Sequence, residues 1–139
     1  MNEATITRQL VPEGQRLSVT AYLFGAYFPM RLEPAIYNIT DQLAPAYTGA
    51  YWDFFTLSNE GFYMAPDGGG SYGVVSPNGF EGTLSADALG IVACLYAYSN
   101  LSFSAPTATA LVLAEHYHWL REWMIEGHPE AGAILRAID

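Results

Sequence analysis

The chain contains no lysine, so its five cationic side chains are all arginines, set against fourteen aspartates and glutamates. The formal net charge is -9 at pH 7. Proteins that bind nucleic acid need a cationic surface for the phosphates, so direct nucleic-acid binding is not expected. Anionic membrane surfaces are disfavoured for the same reason. A protein or a cation is the expected partner, although simple solubility explains the same charge.

Cysteine is almost absent, since Cys94 is the only one, and the chain cannot form a disulfide with itself. This composition suits a reducing compartment. The longest apolar run, residues 88–98, includes Gly90 and is too short to span a bilayer. Residues 1–8 lack the basic start and apolar stretch of a signal peptide. We therefore expect a cytoplasmic protein.

Apolar residues make up 51% of the 139 positions, which is enough for one hydrophobic core. We expect a single domain, residues 1–139. The apolar spacing predicts a helix from about Pro12 to Phe28, which Pro29 should end. It predicts a second, short helix from about Pro34 to Leu43.

The centre of the chain changes to strand-like segments. The aromatic run 51–57 and segments 62–65 and 71–75 predict three strands of an antiparallel meander, because only short turns join them. Residues 80–84 should be extended or irregular. Asp53 lies among the aromatic residues of the first strand, where a carboxylate needs hydrogen-bond partners or a cation. A structural carboxylate paired with an arginine or with turn amides explains it better than a functional one.

The last third returns to helix. Ser85 is a suitable N-cap, and Asp87 lies in the first turn, where the helix dipole favours negative charge. The following run to Tyr98 is apolar on nearly every side and predicts a buried helix. Further helices are predicted at 107–126 and 128–138. The fold class is therefore α+β, with a small antiparallel sheet of about three strands packed against and surrounded by several helices.

Candidate catalytic and metal-binding groups are few. Glu115, His118 and Glu122 share one helix face, as metal ligands would, but no second set of ligands occurs and a solvated face explains them better. Cys94 lies in the apolar helix, where a thiol is usually inert. His116 and His118 point in different directions on their helix. We expect neither an enzyme nor a bound cofactor or metal, and a metal-dependent hydrolase is the less favoured alternative.

Three long segments resemble one known family. Residues 51–66 read YWDFFTLSNEGFYMAP, residues 79–92 read GFEGTLSADALGIV, and residues 128–139 read HPEAGAILRAID. Together they resemble the ArdB/KlcA antirestriction family, and weaker agreement begins near Leu10. Glu60, where a small residue is expected, and the loop 68–72 depart from the family pattern.

The resemblance implies a protein of a plasmid or another mobile element. Such proteins let incoming unmodified DNA survive type I restriction–modification by the host. The family's fold, a small antiparallel sheet surrounded by helices, agrees with the one predicted above, and the family has no known cofactor.

The resemblance leaves two binding mechanisms open. A DNA mimic would carry carboxylates at phosphate-like spacing, about one charge per 1.7 Å along the surface. Here the acidic residues are spread thinly, and no two are adjacent. We therefore expect indirect action or contact with a host protein of the restriction pathway, by a monomer or weak homodimer. The predicted partner-binding residues are Asp53, Asn59, Glu60, Asp87 and Asp139.

Overall fold

A computed structural model describes residues 5–139. The prediction that the chain lacks a signal peptide used residues 1–8, and the first four of these lie outside the described residues. The strands are β1 (Arg8–Leu10), β2 (Trp52–Leu57), β3 (Phe62–Pro66), β4 (Ser71–Val75) and β5 (Glu81–Ser85). The helices are α1 (Arg16–Phe24), α2 (Glu33–Leu43), α3 (Ala86–Ser102), α4 (Thr107–Gly127) and α5 (Ala131–Ile138). A 3-10 turn (Glu13–Gln15) precedes α1, and a π-helical turn (Phe28–Leu32) precedes α2. The predicted α+β class is confirmed.

Helix α3 is the centre of the core. Its apolar residues are distributed all round the helix axis, so it is buried on nearly every side, as its sequence predicts. It packs against β3, α2 and α4. Gly90 allows the close approach to β3, because a Cβ there would lie 2.4 Å from the Cβ of Ala65. No helix within residues 5–139 is both long and apolar enough to cross a membrane.

The strands form two sheets instead of one meander. β1, β2 and β3 make an antiparallel sheet in that order, with Leu10 opposite Phe55 and Phe54 opposite Met64. The prediction that 71–75 extends this sheet is wrong, because β4 pairs with β5 in a separate antiparallel sheet. Gly68 and Gly69 have positive φ (99° and 65°) and turn the chain away from β3. The short strand β1 was not predicted.

The predicted N-terminal helix is also shorter than its apolar spacing suggests. α1 ends at Phe24 because Gly25 has φ 62° and breaks the helical path. Pro29 does not stop a helix, since it lies in the first turn of the π-helical segment, where a missing N–H is tolerated. In α4 the buried residues are Leu113, His116, Leu120 and Met124, while Tyr117 is half-buried.

Candidate partner-binding groove

A groove of about 540 Å³ opens where the side of β2 that carries Asp53 and Phe55, the start of α3 and the connection between α4 and α5 meet. We call it the acidic groove. Its charged and polar lining residues are Arg8, Asp53, Asp67, Ser85, Asp87, His128 and Glu130, and its aromatic lining residues are Phe55 and Trp123.

Asp87 is the centre of the hydrogen bonds in this groove. Its Oδ1 accepts from the hydroxyl of Tyr63 (2.7 Å) and from Nη1 of Arg8 (3.2 Å). Its Oδ2 lies 2.8 Å from Nε2 of His128. Burial alone would raise the pKa of this carboxyl. The hydrogen bonds from His128 and Tyr63 and the nearby guanidinium outweigh burial, so the pKa of Asp87 lies below its ordinary value.

His128 has both ring nitrogens engaged. Nδ1 accepts a hydrogen bond from the backbone N–H of Glu130 (3.0 Å). The proton of the neutral ring is therefore on Nε2, which donates to Asp87. The side chain is only 5% exposed and meets the Trp123 ring edge-on, with centroids 5.9 Å apart. The ring therefore has no free nitrogen with which to accept a proton from a substrate.

Ser85 and Glu130 make a second link between α3 and the segment before α5. The Ser85 hydroxyl accepts from the N–H of Ala88 (3.1 Å), which caps α3 as predicted, and donates to the Glu130 carboxylate. The backbone N–H of Ser85 donates to the other Glu130 oxygen (2.9 Å). The hydroxyl therefore caps α3 and at the same time holds the Glu130 carboxylate against the start of that helix.

An aromatic stack forms the inner wall of the acidic groove. The Arg8 guanidinium lies 4.3 Å from the centroid of Phe55, which stacks on Tyr63 at 4.9 Å. Tyr63 stacks in turn on Trp123 at 5.3 Å. Tyr63 is fully buried, so these contacts fix both its ring and the hydroxyl that reaches Asp87.

The structure brings two of the five predicted partner-binding residues together. Asp53 and Asp87 both line the acidic groove. As expected, Asp53 has an arginine beside it, since its Oδ1 lies 4.0 Å from Nη2 of Arg16.

The other three predicted residues lie elsewhere. Asn59 and Glu60 form the β2–β3 turn, where Asn59 donates to the Trp119 carbonyl oxygen (2.9 Å) and Glu60 takes φ 84°. Asp139 lies at the C-terminus, 3.5 Å from Nη2 of Arg121.

Arg8, Tyr63, His128 and Glu130 were not singled out from the sequence. The contact from Asp87 to His128 joins residues 41 positions apart, and that from Ser85 to Glu130 joins residues 45 apart. Ser85 and Asp87 were visible as the start of a helix, but no local pattern connects them with the segment before α5. Only the fold brings the two segments together.

The other candidate groups lie outside this groove. Glu115, His118 and Glu122 are exposed on α4, and residues 5–139 contain no group of three or more potential ligands that could hold a metal ion. Cys94 is buried, and burial raises the pKa of its thiol to about 12. His116 is buried against aromatic rings, and desolvation lowers its pKa to about 4.

Comparison with known proteins decides the family. The sequence model of a family described as "Antirestriction protein" matches residues 45–139. An antirestriction protein KlcA of Escherichia coli is 47% identical over 136 residues, which cover 96% of this chain and 95% of that protein. The chain belongs to the ArdB/KlcA antirestriction family. A second KlcA of Escherichia coli is 45% identical over 133 residues, covering 93% of this chain and 90% of that protein.

A solved structure of this family extends the agreement to the whole fold. It matches this chain with a TM-score of 0.88 and 44% identity, and the alignment covers 100% of both chains. The KlcA and ArdB proteins of that structural study are reported to show a novel fold and antirestriction activity against type I DNA restriction systems in vivo but not in vitro. The family resemblance found in the sequence is confirmed.

Proposed function

We propose that this chain protects incoming unmodified DNA from type I restriction–modification by contacting a host protein of the restriction pathway. The observation that carries the proposal is the match, over the full length of both chains, to a relative described as active in vivo but not in vitro. A protein that blocked the restriction enzyme directly would also act on the purified enzyme. A relative active only in cells therefore points to an indirect route, and we extend that route to this chain.

The groove supports binding over catalysis. Ser85 and His128 would be the natural nucleophile and base in it, but no hydrogen bond joins them, because the hydroxyl donates to Glu130 and the ring nitrogens are engaged by Asp87 and by the N–H of Glu130. A metal-dependent hydrolase using Glu115, His118 and Glu122 has no support from the structure of residues 5–139. Full activity of His118→Ala, with no metal in the purified protein, would dispose of that alternative.

The placement of the carboxylates also disfavours a DNA mimic. A mimic needs an outward-facing row of charges that follows the phosphates of a duplex. Asp87 and Glu130 instead point into a concave site and are hydrogen-bonded to neighbouring groups. Asp139 is paired with Arg121.

We propose that the contact surface includes Asp53 and Asp87 in the acidic groove, Asn59 and Glu60 in the β2–β3 turn, and Asp139 at the C-terminus. The proposed setting is the cytoplasm of a host that receives a plasmid or another mobile element. The protein would act as a monomer or weak homodimer, as one domain, without a cofactor and without direct contact with nucleic acid or membrane.

The experiment that tests this function compares plating of unmodified phage on a type I restricting host with and without the protein. We expect plating to rise towards the level on a non-restricting host, while the purified protein leaves DNA cleavage by the purified restriction enzyme unchanged. Asp53→Asn and Asp139→Asn should weaken protection, whereas Asp41→Asn, an exposed position on α2, serves as the matched control. Unchanged plating with the wild-type protein would reject the function, and strong inhibition of the purified enzyme would favour the mimic.

A further inference from the structure

Helix α1 buries far less of its surface than the helices of the core. Within α1, which the structure describes in full, Thr20 alone is buried. Leu17 and Tyr22 are 87% and 85% exposed. Single exposed apolar side chains are common, but Leu17 and Tyr22 each border a separate groove, and the groove beside Leu17 continues over further apolar residues.

The larger of these two grooves runs along α1 and the segment that follows it. We call it the α1 groove, and it has a volume of about 560 Å³. Its apolar lining includes Leu17, Ala21, Gly25, Ala26, Phe28 and Pro29. A Cβ built on Gly25 would meet no atom within 4 Å, so the space above the chain is open there. The small residues leave room for another backbone to approach, and α1 is about 14 Å long at 1.5 Å per residue.

The rim of the α1 groove is acidic. Glu13 and Glu33 line it, and each accepts one hydrogen bond from a tyrosine hydroxyl, Tyr51 and Tyr37 respectively, at 3.1 Å. Each carboxylate therefore keeps lone pairs for a ligand. These two charges are fixed at the edges of an apolar floor.

Arg16 also lines the α1 groove but does not offset this charge. Its Nη2 donates to the Trp52 carbonyl oxygen (2.7 Å) and lies 4.0 Å from the Asp53 carboxylate. The guanidinium lies between two rings, 4.4 Å from the centroid of Phe54 and 4.8 Å from that of Tyr51. Because it is already paired and covered, the accessible charge of the rim is negative.

On the basis of the function proposed above, we propose that the α1 groove binds an amphipathic helix of a host protein, with its apolar side on Leu17 and Ala21 and basic side chains towards Glu13 and Glu33. Helix-in-groove recognition needs an open apolar floor and complementary charge at its edges, and both are present. A second copy of this chain does not fit, because it has no lysine and no helix within residues 5–139 carries more than one arginine.

The direct test titrates the full-length protein against a fluorescent synthetic helix that has leucines at helical spacing and lysines on both flanks. We expect the wild-type protein to bind this peptide saturably. The affinity should be at least tenfold weaker for Leu17→Gln, for Ala21→Gln and for the double variant Glu13→Gln/Glu33→Gln. In the double variant each amide oxygen can still accept the hydrogen bond from tyrosine. Leu111→Gln, at an apolar position on α4 that is 65% exposed, is the matched control and should bind as the wild type does. Equal binding by all variants, or equal binding of a peptide with glutamates in place of the lysines, would overturn the proposal.

The same variants separate this proposal from the proposed function in cells. Leu17→Gln and Ala21→Gln should lower phage plating on the restricting host at least tenfold relative to Leu111→Gln, at equal protein levels. If the wild-type protein gives no protection, the antirestriction function fails, while the peptide titration still decides whether the groove binds a basic helix. If the wild type protects and the α1 variants protect equally well, the groove has no part in protection. A dimer in sedimentation velocity that Leu17→Gln dissociates would replace the host helix with a second copy.

Discussion

The replacement Asp87→Asn tests whether the hydrogen-bond network of the acidic groove stabilises the fold. The asparagine oxygen can still accept from Tyr63 and Arg8, but its amide group would face the N–H of His128 as donor against donor. The ring cannot change tautomer without losing the hydrogen bond from the N–H of Glu130. The variant therefore loses one hydrogen bond to a charged group and leaves two donors opposed.

The expected loss follows from these contacts. A hydrogen bond to a charged group contributes about 1.5–3 kcal/mol. The two opposed donors add to this loss, whereas the 31% exposure of the Asp87 side chain lets solvent screen part of it, and together they give an expected loss of about 2–3 kcal/mol. For a chain of this length, that loss corresponds to a fall in Tm of roughly 6–12 °C. Asp67→Asn is the matched control, because Asp67 is exposed at the same groove and its side chain makes no hydrogen bond or ion pair within residues 5–139.

Urea denaturation of the two variants and the wild type at several pH values gives the measurement. The pKa of Asp87 in the folded protein lies below its unfolded value of about 3.9. Its charge therefore contributes stability that is fully present above about pH 4 and is lost as the pH falls through the folded pKa. The gap between wild type and Asp87→Asn should shrink on acidification below about pH 4. Equal stability of Asp87→Asn and Asp67→Asn at pH 7 would refute the reasoning.

Three further predictions concern the core and the β2–β3 turn, and urea denaturation measures each. Gly90→Ala should lower the free energy of unfolding by about 3 kcal/mol, since the new Cβ would lie 2.4 Å from that of Ala65. Gly132→Ala is the control and should not destabilise the protein, because the new Cβ would meet only the flexible end of the Arg136 side chain. The free energy of unfolding should fall as the pH drops from 6.5 towards 4, because His116 is protonated more readily in the unfolded chain than in the folded protein. His116→Phe should remove that contribution, and an unchanged slope of unfolding free energy against pH in this variant would contradict the prediction. Glu60→Gly should stabilise by about 1 kcal/mol by relieving φ 84°, and no gain would mean that the turn is unstrained.

The sequence was informative where a single segment determines its own structure. The apolar run after Ser85 predicted α3 and its cap, and the aromatic run followed by a short turn predicted the β2–β3 hairpin. The partner of β4 could not be predicted, because strand alternation shows which face is buried but not which strand lies alongside. β1 has only three residues, all of them exposed, and so carries no apolar pattern.

The acidic groove likewise contains residues that local sequence identified and residues that only the fold brings in. Asp53 and Asp87 were identified from their local surroundings, one among aromatic residues and the other in the first turn of a helix. His128 and Glu130 had no such signal, because their roles depend on α5 folding back against the start of α3. The α1 groove was missed because apolar residues at helical spacing predict a buried helix face, whereas the structure leaves Leu17 and Ala21 exposed.

The junction of β5 and α3 limits where this chain can change in length. β5 ends at Ser85 and α3 begins at the next residue, so strand and helix are joined without a linker. One inserted residue at this junction would rotate the helix by about 100° relative to the strand and carry Asp87 away from His128. The exposed loop at Gly68–Gly70 connects two separate sheets and can absorb the same insertion. Length differences among proteins that keep the groove should therefore fall in the loop and spare the junction.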